Sequence, residues 1–192
     1  ILPEKKLLQN PEFKASLEEG AIKKYLDSFS LKEKLAQLFI INLEGSQEYT
    51  KKFDYNETLC PSGFIFFSYN IAKTPEQILH FNYSIQEYYK NSIPPFLAID
   101  LEGGFVNRLQ SIISPLPSPG DIPKLFSLQE VEIFYETIAK QTKALGFSLN
   151  LAPIVEPLWE ENAQFLQNRS FGSFDIAQKY SKAFIQAINN QN

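Results

Sequence analysis

Four short apolar runs constrain this chain more than anything else in it. They fall at 38–43, 63–67, 96–99 and 147–152, and none has a helical period. Runs of 4–8 apolar residues that alternate with helical segments read as parallel strands buried on both faces, each returning through a helix. The order is an early helix near 13–28, a capped helix at 31–37, then strand, strand, helix, strand, helix, strand, helix. Segment 45–62, between the first two strands, shows little pattern and is expected to be loop plus a short helix. Such an order fits an open doubly wound sheet or part of a barrel, and periodicity does not separate the two. With 192 residues and no internal repeat, low-complexity tract or linker, one folded unit over 1–192 is expected, with a loosely held polar arm up to about Asn10.

The helix starts are marked by local chemistry. Ser30 with Glu33 and Ser127 with Glu130 are spaced as capping boxes, in which the serine oxygen takes the third helical amide and the glutamate reaches back. Thr74 with Gln77 is spaced the same way, and Pro75 stands at the first helical position, where no N–H is missed. The helix begun at Ser127 should stop at Gly146, a left-handed C-terminal cap. Ser173 opens the last helix, with Ala177, Tyr180, Phe184 and Ile188 at helical spacing.

Composition removes several function classes. Apolar residues make up 44% of the chain, including 17 Phe and 9 Tyr, enough for a sizeable core. A net charge of −4 without clustered basic residues argues against a nucleic-acid partner. No apolar run approaches the ~18 residues of a membrane span. A single cysteine, Cys60, excludes an internal disulfide, and a single histidine, His80, excludes a His-rich metal centre. His80 lies inside a helix and reads as a packed or surface residue. Phosphate-cradling glycine motifs are absent.

Ligands of parallel α/β folds meet the carboxyl ends of the strands. There the chain places Asn42 and Glu44, then Ser68-Tyr69-Asn70, then Asp100-Leu-Glu102-Gly-Gly104 with Asn107-Arg108, and finally Asn150 through Glu156 with Asn168-Arg169. The basic residues are 16 Lys and 2 Arg. A chain so biased toward lysine should keep arginine where a planar, two-pronged donor is needed. Arg108 and Arg169 could each contact a ligand or hold a loop. Asp100 could bridge two sugar hydroxyls or cap the Gly-Gly turn. Glu102 reads as a turn-stabilising residue, because two carboxylates of one strand cannot flank a bond from opposite faces. The aromatic pairs Phe66-Phe67 and Tyr88-Tyr89 read as packing.

These segments together resemble the N-terminal catalytic domain of glycoside hydrolase family 3, especially its bacterial β-N-acetylglucosaminidase branch. The matching stretches are 30–39, 63–67 with Asn70-Ile71, 95–104, Arg108-Leu109, Leu116-Pro117-Ser118, 146–153, and 168–172. The resemblance implies a (β/α)8 TIM-barrel fold, present here as about its first four βα units. It implies a retaining hydrolase of hexosaminidase or β-glucosidase type, needing no metal or organic cofactor. It assigns Asp100, Arg108 and Arg169 to the substrate sugar; Glu102 and Asn168 are read beside them as turn or supporting residues. The implied partner is a β-linked carbohydrate containing N-acetylglucosamine.

The chain departs from the family at Phe105, usually Arg, at Tyr69, usually Arg, and at Glu156, usually Asp. It also lacks the Lys-His-Phe-Pro-Gly-His-Gly stretch, the loop histidine that acts as acid–base, and the later nucleophilic aspartate. No catalytic residue is therefore assigned, and the expectation is a sugar-orienting half-site without turnover. The alternative is a non-catalytic sugar-binding or partner-dependent remnant. A length short of the ~250 residues of such barrels suggests closure by further chain or by self-association. The missing initiator Met leans toward an exported protein, against the cytoplasmic habit of the branch.

Overall fold

The structure, a computed structural model, describes residues 19–50 and 60–190. The expected N-terminal arm, the start of the early helix and residues 51–59 of the loop between the first two strands lie outside the described residues. Helix α1 spans Glu19–Asp27 and α2 spans Leu31–Ala36. Strands β1 (Ile40–Asn42), β2 (Gly63–Phe66) and β3 (Phe96–Ile99) follow, with a 3-10 turn at Ser68–Asn70 and helix α3 (Pro75–Tyr88) between the last two. Two short strands, β4 (Leu101–Gly103) and β5 (Val106–Asn107), precede the short helix α4 (Ile122–Leu125) and the long α5 (Leu128–Ala144). Strand β6 (Leu149–Asn150), helix α6 (Ala163–Leu166), a 3-10 turn at Gln167–Arg169 and α7 (Phe174–Asn189) complete the fold.

The sheet decides between the two architectures. Its order is β1-β2-β3-β6 and every pair is parallel. A doubly wound sheet reverses its direction of growth at a switch point. Here each crossover returns the chain to the next position on the same side, as in the wall of a barrel. Among the described residues β1 and β6 are the edges, and β1 leaves Ile40 and Ile41 exposed.

The cross-strand register sorts the side chains. Phe64 stands beside Leu97, and Phe66 beside Ile99. All four are buried and face the helices, with Phe66 meeting Phe81 of α3 at 5.6 Å and Phe147 at 5.1 Å. Ile78, Phe81 and Ile85 of α3, Val131, Tyr135 and Ile138 of α5, and Ala177, Phe184 and Ala187 of α7 complete that core. Ile65 and Ala98 take the opposite face. Continuing the alternation brings Phe67 and Asp100 to the carboxyl rim of that concave side.

The helix punctuation follows the chemistry read from sequence. Both serine capping boxes close reciprocally, Ser30 with Glu33 and Ser127 with Glu130. At Thr74 the threonine oxygen accepts the Gln77 amide, the forward half of the pair. Helix α5 ends in a Schellman arrangement: Gly146, at φ +91°, donates to Lys143 while Phe147 donates to Thr142. His80 is exposed on α3. Cys60 is buried, and burial pushes its thiol up to about 11, which makes it unreactive. No helix among the described residues is long and apolar enough to cross a membrane.

One buried amide ties the first two strand exits together. Asn70 is fully buried; its Nδ2 donates to the Leu43 and Gly45 carbonyls, both at 2.9 Å, and its Oδ1 accepts the Phe67 amide at 2.9 Å. An Asn70→Ala change leaves three backbone groups without this partner in a dry place, so unfolding in urea should show a loss of about 2–3 kcal/mol. A loss under about 0.5 kcal/mol would mean that the rim does not depend on this knot.

Candidate active-site rim

The chain leaves β3 under unusually tight control. The Ile99 carbonyl accepts from the Leu151 amide, and the Asn150 side chain then acts as one more strand residue. Its Oδ1 accepts the Leu101 amide at 3.2 Å and its Nδ2 donates to the Leu101 carbonyl at 3.3 Å. Asp100 is thus held between two clamped neighbours. Immediately beyond, the Gly-Gly segment is more than a tight turn: β4 and β5 pair as an antiparallel hairpin. Gly103, the last residue of β4, lies at φ +104°, where a Cβ would collide with the Pro117 carbonyl, and Gly104 at φ +57° opens the turn. The hairpin returns the chain so that Arg108 lies back over the end of β3.

Arg108 and Asp100 meet at 3.5 Å, with about a quarter of each side chain exposed. The contact is long, and the Arg108 Nε is buried without a protein hydrogen-bond partner among the described residues. The guanidinium carbon also lies 5.8 Å from the ring centre of Phe67. Phe67 was expected to be packing; it is half-buried at the rim and stacks on Tyr69 at 5.7 Å. Of the other expected packing residues, Phe66 and Tyr89 are core and Tyr88 is partly exposed.

Arg169 has a closer partner than Arg108. Its Nε and Nη2 donate to the two oxygens of Glu102 at 2.9 and 2.6 Å, a two-pronged pair. The Glu102 side chain is only 5% exposed, against 24% for Arg169. Glu102 therefore does more than stabilise a turn: it fixes the guanidinium of a residue 67 positions away. The hydrogen bond to Glu102 also raises the Arg169 pKa, so the cation persists. Of five guanidinium hydrogens, two are committed to this fork and three remain for other acceptors.

Asn168 has a different task. Its Nδ2 donates to Ser118 Oγ at 2.8 Å and to Asp121 Oδ2 at 2.7 Å, clipping the loop before α7 to the turn before α4. The same turn carries Leu116, whose carbonyl accepts from Gly104. Asn162 closes the outer loop, donating to Glu156 at 2.6 Å. Asp100, Arg108, Glu102 and Arg169 are therefore gathered at one rim, with Asn168 serving to position the last of them. Neither the clamping role of Asn150 nor the Ser118–Asp121 clip is evident from the sequence. Asn150 stood at a strand end, a signal that could have been used, whereas the clip joins segments 47–50 positions apart and leaves no local trace. No group of three or more His, Cys, Asp or Glu among the described residues could hold a metal ion.

Known proteins are similar to this chain in sequence and in fold. The model of the glycosyl hydrolase family 3 N-terminal domain matches residues 30–192. The β-hexosaminidase LpqI of Mycobacterium tuberculosis is 28% identical over 100 residues, covering 51% of this chain and 26% of its own length. A β-hexosaminidase of Xylella fastidiosa is 24% identical over 159 residues, or 79% and 46%. The chain thus spans less than half the length of these curated relatives. Among solved structures, a family 3 β-N-acetylglucosaminidase from Paenibacillus sp. str. FPU-7 matches with TM-score 0.76 and 21% identity, covering 85% of this chain and 32% of that one. The LpqI structure gives 0.66 and 21%, with 87% and 47% covered. These likenesses bear on the fold, which is part of a TIM-type barrel.

Two outcomes test the rim's construction. A double-mutant cycle of Glu102→Gln and Arg169→Gln should give a coupling of about 1–3 kcal/mol in unfolding free energy; additive effects would dissolve the pair. The Asp121 carboxyl is held below its usual 3.8, first by Lys124, then by Ser118 and Asn168. A depressed carboxyl stabilises the fold fully above its unfolded value and loses that contribution as pH falls through the lower folded value. The Asn168 side-chain amide signals should therefore titrate with a midpoint below pH 3.8. A midpoint above pH 3.8 would overturn this assignment.

Proposed function

The chain belongs to glycosyl hydrolase family 3 through its N-terminal domain, and from that membership we propose that it supplies the sugar-orienting half of a glycoside hydrolase site. The substrate is a β-linked glycoside containing N-acetylglucosamine. The observation that carries this reading is the convergence of Asp100, Arg108 and Arg169 at one carboxyl rim, with Arg169 locked by Glu102. A pyranose offers several hydroxyls at fixed angles. An ionised carboxylate accepts from two neighbouring hydroxyls, and a guanidinium donates to hydroxyl oxygens in a plane. Hydrogen bonds with one charged partner are the stronger kind and fix ring orientation as well as affinity.

Each residue has a distinct part. Asp100 is the acceptor, presented by the Asn150 clamp. Arg108 is the donor beside it, and its loose 3.5 Å contact with Asp100 leaves both groups capacity for a ligand. Arg169 presents its remaining hydrogens from the opposite loop. Asn168 and Glu102 hold that loop and that side chain. The hydrolysis also needs a nucleophile and an acid–base group. On this reading, those come from polypeptide other than these four βα units, which would also close the sheet edges at β1 and β6.

Two measurements on the 192-residue chain test this. It should release no nitrophenol from p-nitrophenyl N-acetyl-β-D-glucosaminide above the blank, since clear turnover would mean that the site is complete. It should bind N-acetylglucosamine by saturation-transfer NMR, and Asp100→Ala should weaken that binding by about tenfold or more, the effect of losing one charge-assisted hydrogen bond. An unchanged affinity would remove Asp100 from the site. Binding without turnover is also what a non-catalytic remnant of the family would give, and turnover on adding the remaining half of a family member would separate the two.

A further inference from the structure

The rim residues form a connected strip that extends beyond the proposed sugar-orienting group. From Asp100 the strip passes to Arg108 at 3.5 Å, then to the Phe67 ring, 5.8 Å from the guanidinium carbon. Phe67 stacks on Tyr69 with ring centres 5.7 Å apart and planes inclined by 21°. The Tyr69 oxygen accepts from Asn42 Nδ2 at 3.3 Å. Tyr69 is 58% exposed although its ring is fixed at both ends, by the Phe67 face and by the Asn42 amide. Singly exposed aromatics are common and need no explanation. A phenol that is stacked, hydrogen-bonded and still open on its second face, next to a carboxylate–guanidinium pair, is a prepared surface.

We propose that Tyr69 is a stacking platform for a second sugar ring, adjacent to the ring oriented by Asp100 and Arg108. This rests on the reading of those two residues as sugar-binding. Pyranose rings carry a patch of C–H groups on one face that packs against an aromatic ring, while their hydroxyl edges stay in water. The ring plane of Tyr69 is already fixed by Phe67, so little side-chain freedom is lost when a sugar settles on it. Asn42 holds the phenol oxygen from the β1 side and so sets the tilt of the platform. Tyr69 then determines preference for chain length rather than the binding of the first ring, which its neighbours achieve with charge-assisted hydrogen bonds.

The test compares N-acetylglucosamine with its β-1,4-linked disaccharide on the 192-residue chain, with affinities taken from NMR titration. The disaccharide should bind about threefold to tenfold more tightly, the range expected of one aromatic stacking contact. Tyr69→Ala should abolish that advantage and leave monosaccharide affinity within about twofold, while Tyr69→Phe, which keeps the ring and its stack on Phe67 but loses the Asn42 contact, retains most of it. Equal affinities of the unaltered chain for the two sugars would overturn the platform while leaving the sugar-binding reading intact. An equal loss for both sugars on Tyr69→Ala would also overturn it, because Tyr69 would then act on the first ring or on the fold. Binding of neither sugar would overturn both readings. Circular dichroism of each variant checks that the fold survives.

Discussion

Every side chain at the rim owes its place to the parallel ladder that joins β1, β2, β3 and β6. Parallel strands need a crossover for each return, so consecutive strand ends emerge on the same side of the sheet. Because the order in space is also the order in sequence, each exit loop neighbours the next one along the wall. That arrangement brings Asn42 to Tyr69, Asn70 to Leu43, and Asn150 to Leu101. In each case a short amide reaches one strand across and ties a loop to its neighbour. Side-chain amides suit this work because they carry a donor and an acceptor without a charge that would be costly to bury. The rim is thus a row of loops stitched pairwise rather than a set of independent segments.

The two arginines divide the electrostatic work unequally. Arg169 is committed to Glu102 in a close two-pronged pair whose carboxylate is almost fully buried. Arg108 has a longer contact, a buried Nε without a protein partner, and an aromatic ring beneath it. One arginine is fixed and the other is held in readiness. In a chain with 16 Lys, the close fork to Glu102 explains an arginine at 169, because an ammonium group cannot present two parallel donors to one carboxylate.

The legible part of the fold was that governed by residues close in sequence. Capping boxes at Ser30 and Ser127 and the stop at Gly146 are written within a few residues and were readable as such. The strands were legible as apolar runs; β3 matches its run residue for residue, while the ladder uses only part of the other three, two residues in the case of β6. Choosing a barrel wall over a doubly wound sheet depended on strand order, which no local pattern encodes, and the resemblance was needed to anticipate it. The hairpin after Asp100 was hidden because β4 and β5 are too short to show alternation. Glu102 was read as a turn residue and Arg169 as a ligand contact because their pairing spans 67 positions. Phe67 looked like core because a strand-end aromatic gives no sign of which face it will take.

The span of the Glu102–Arg169 pair also bears on the order in which the molecule can form as it is synthesised. Strands β1, β2 and β3 each find their ladder partner next in the chain, so the sheet can grow from its amino-terminal edge as the polypeptide lengthens. Glu102 emerges early in that sequence, and its carboxylate must wait for the loop after α6 before it meets Arg169. Until then the hairpin at β4–β5 carries an unpaired charge at a position that will become buried, where early tight packing is disfavoured. The wall of this half-barrel can therefore precede the rim at its strand ends, and arrival of the 168–170 loop is the event that completes the rim.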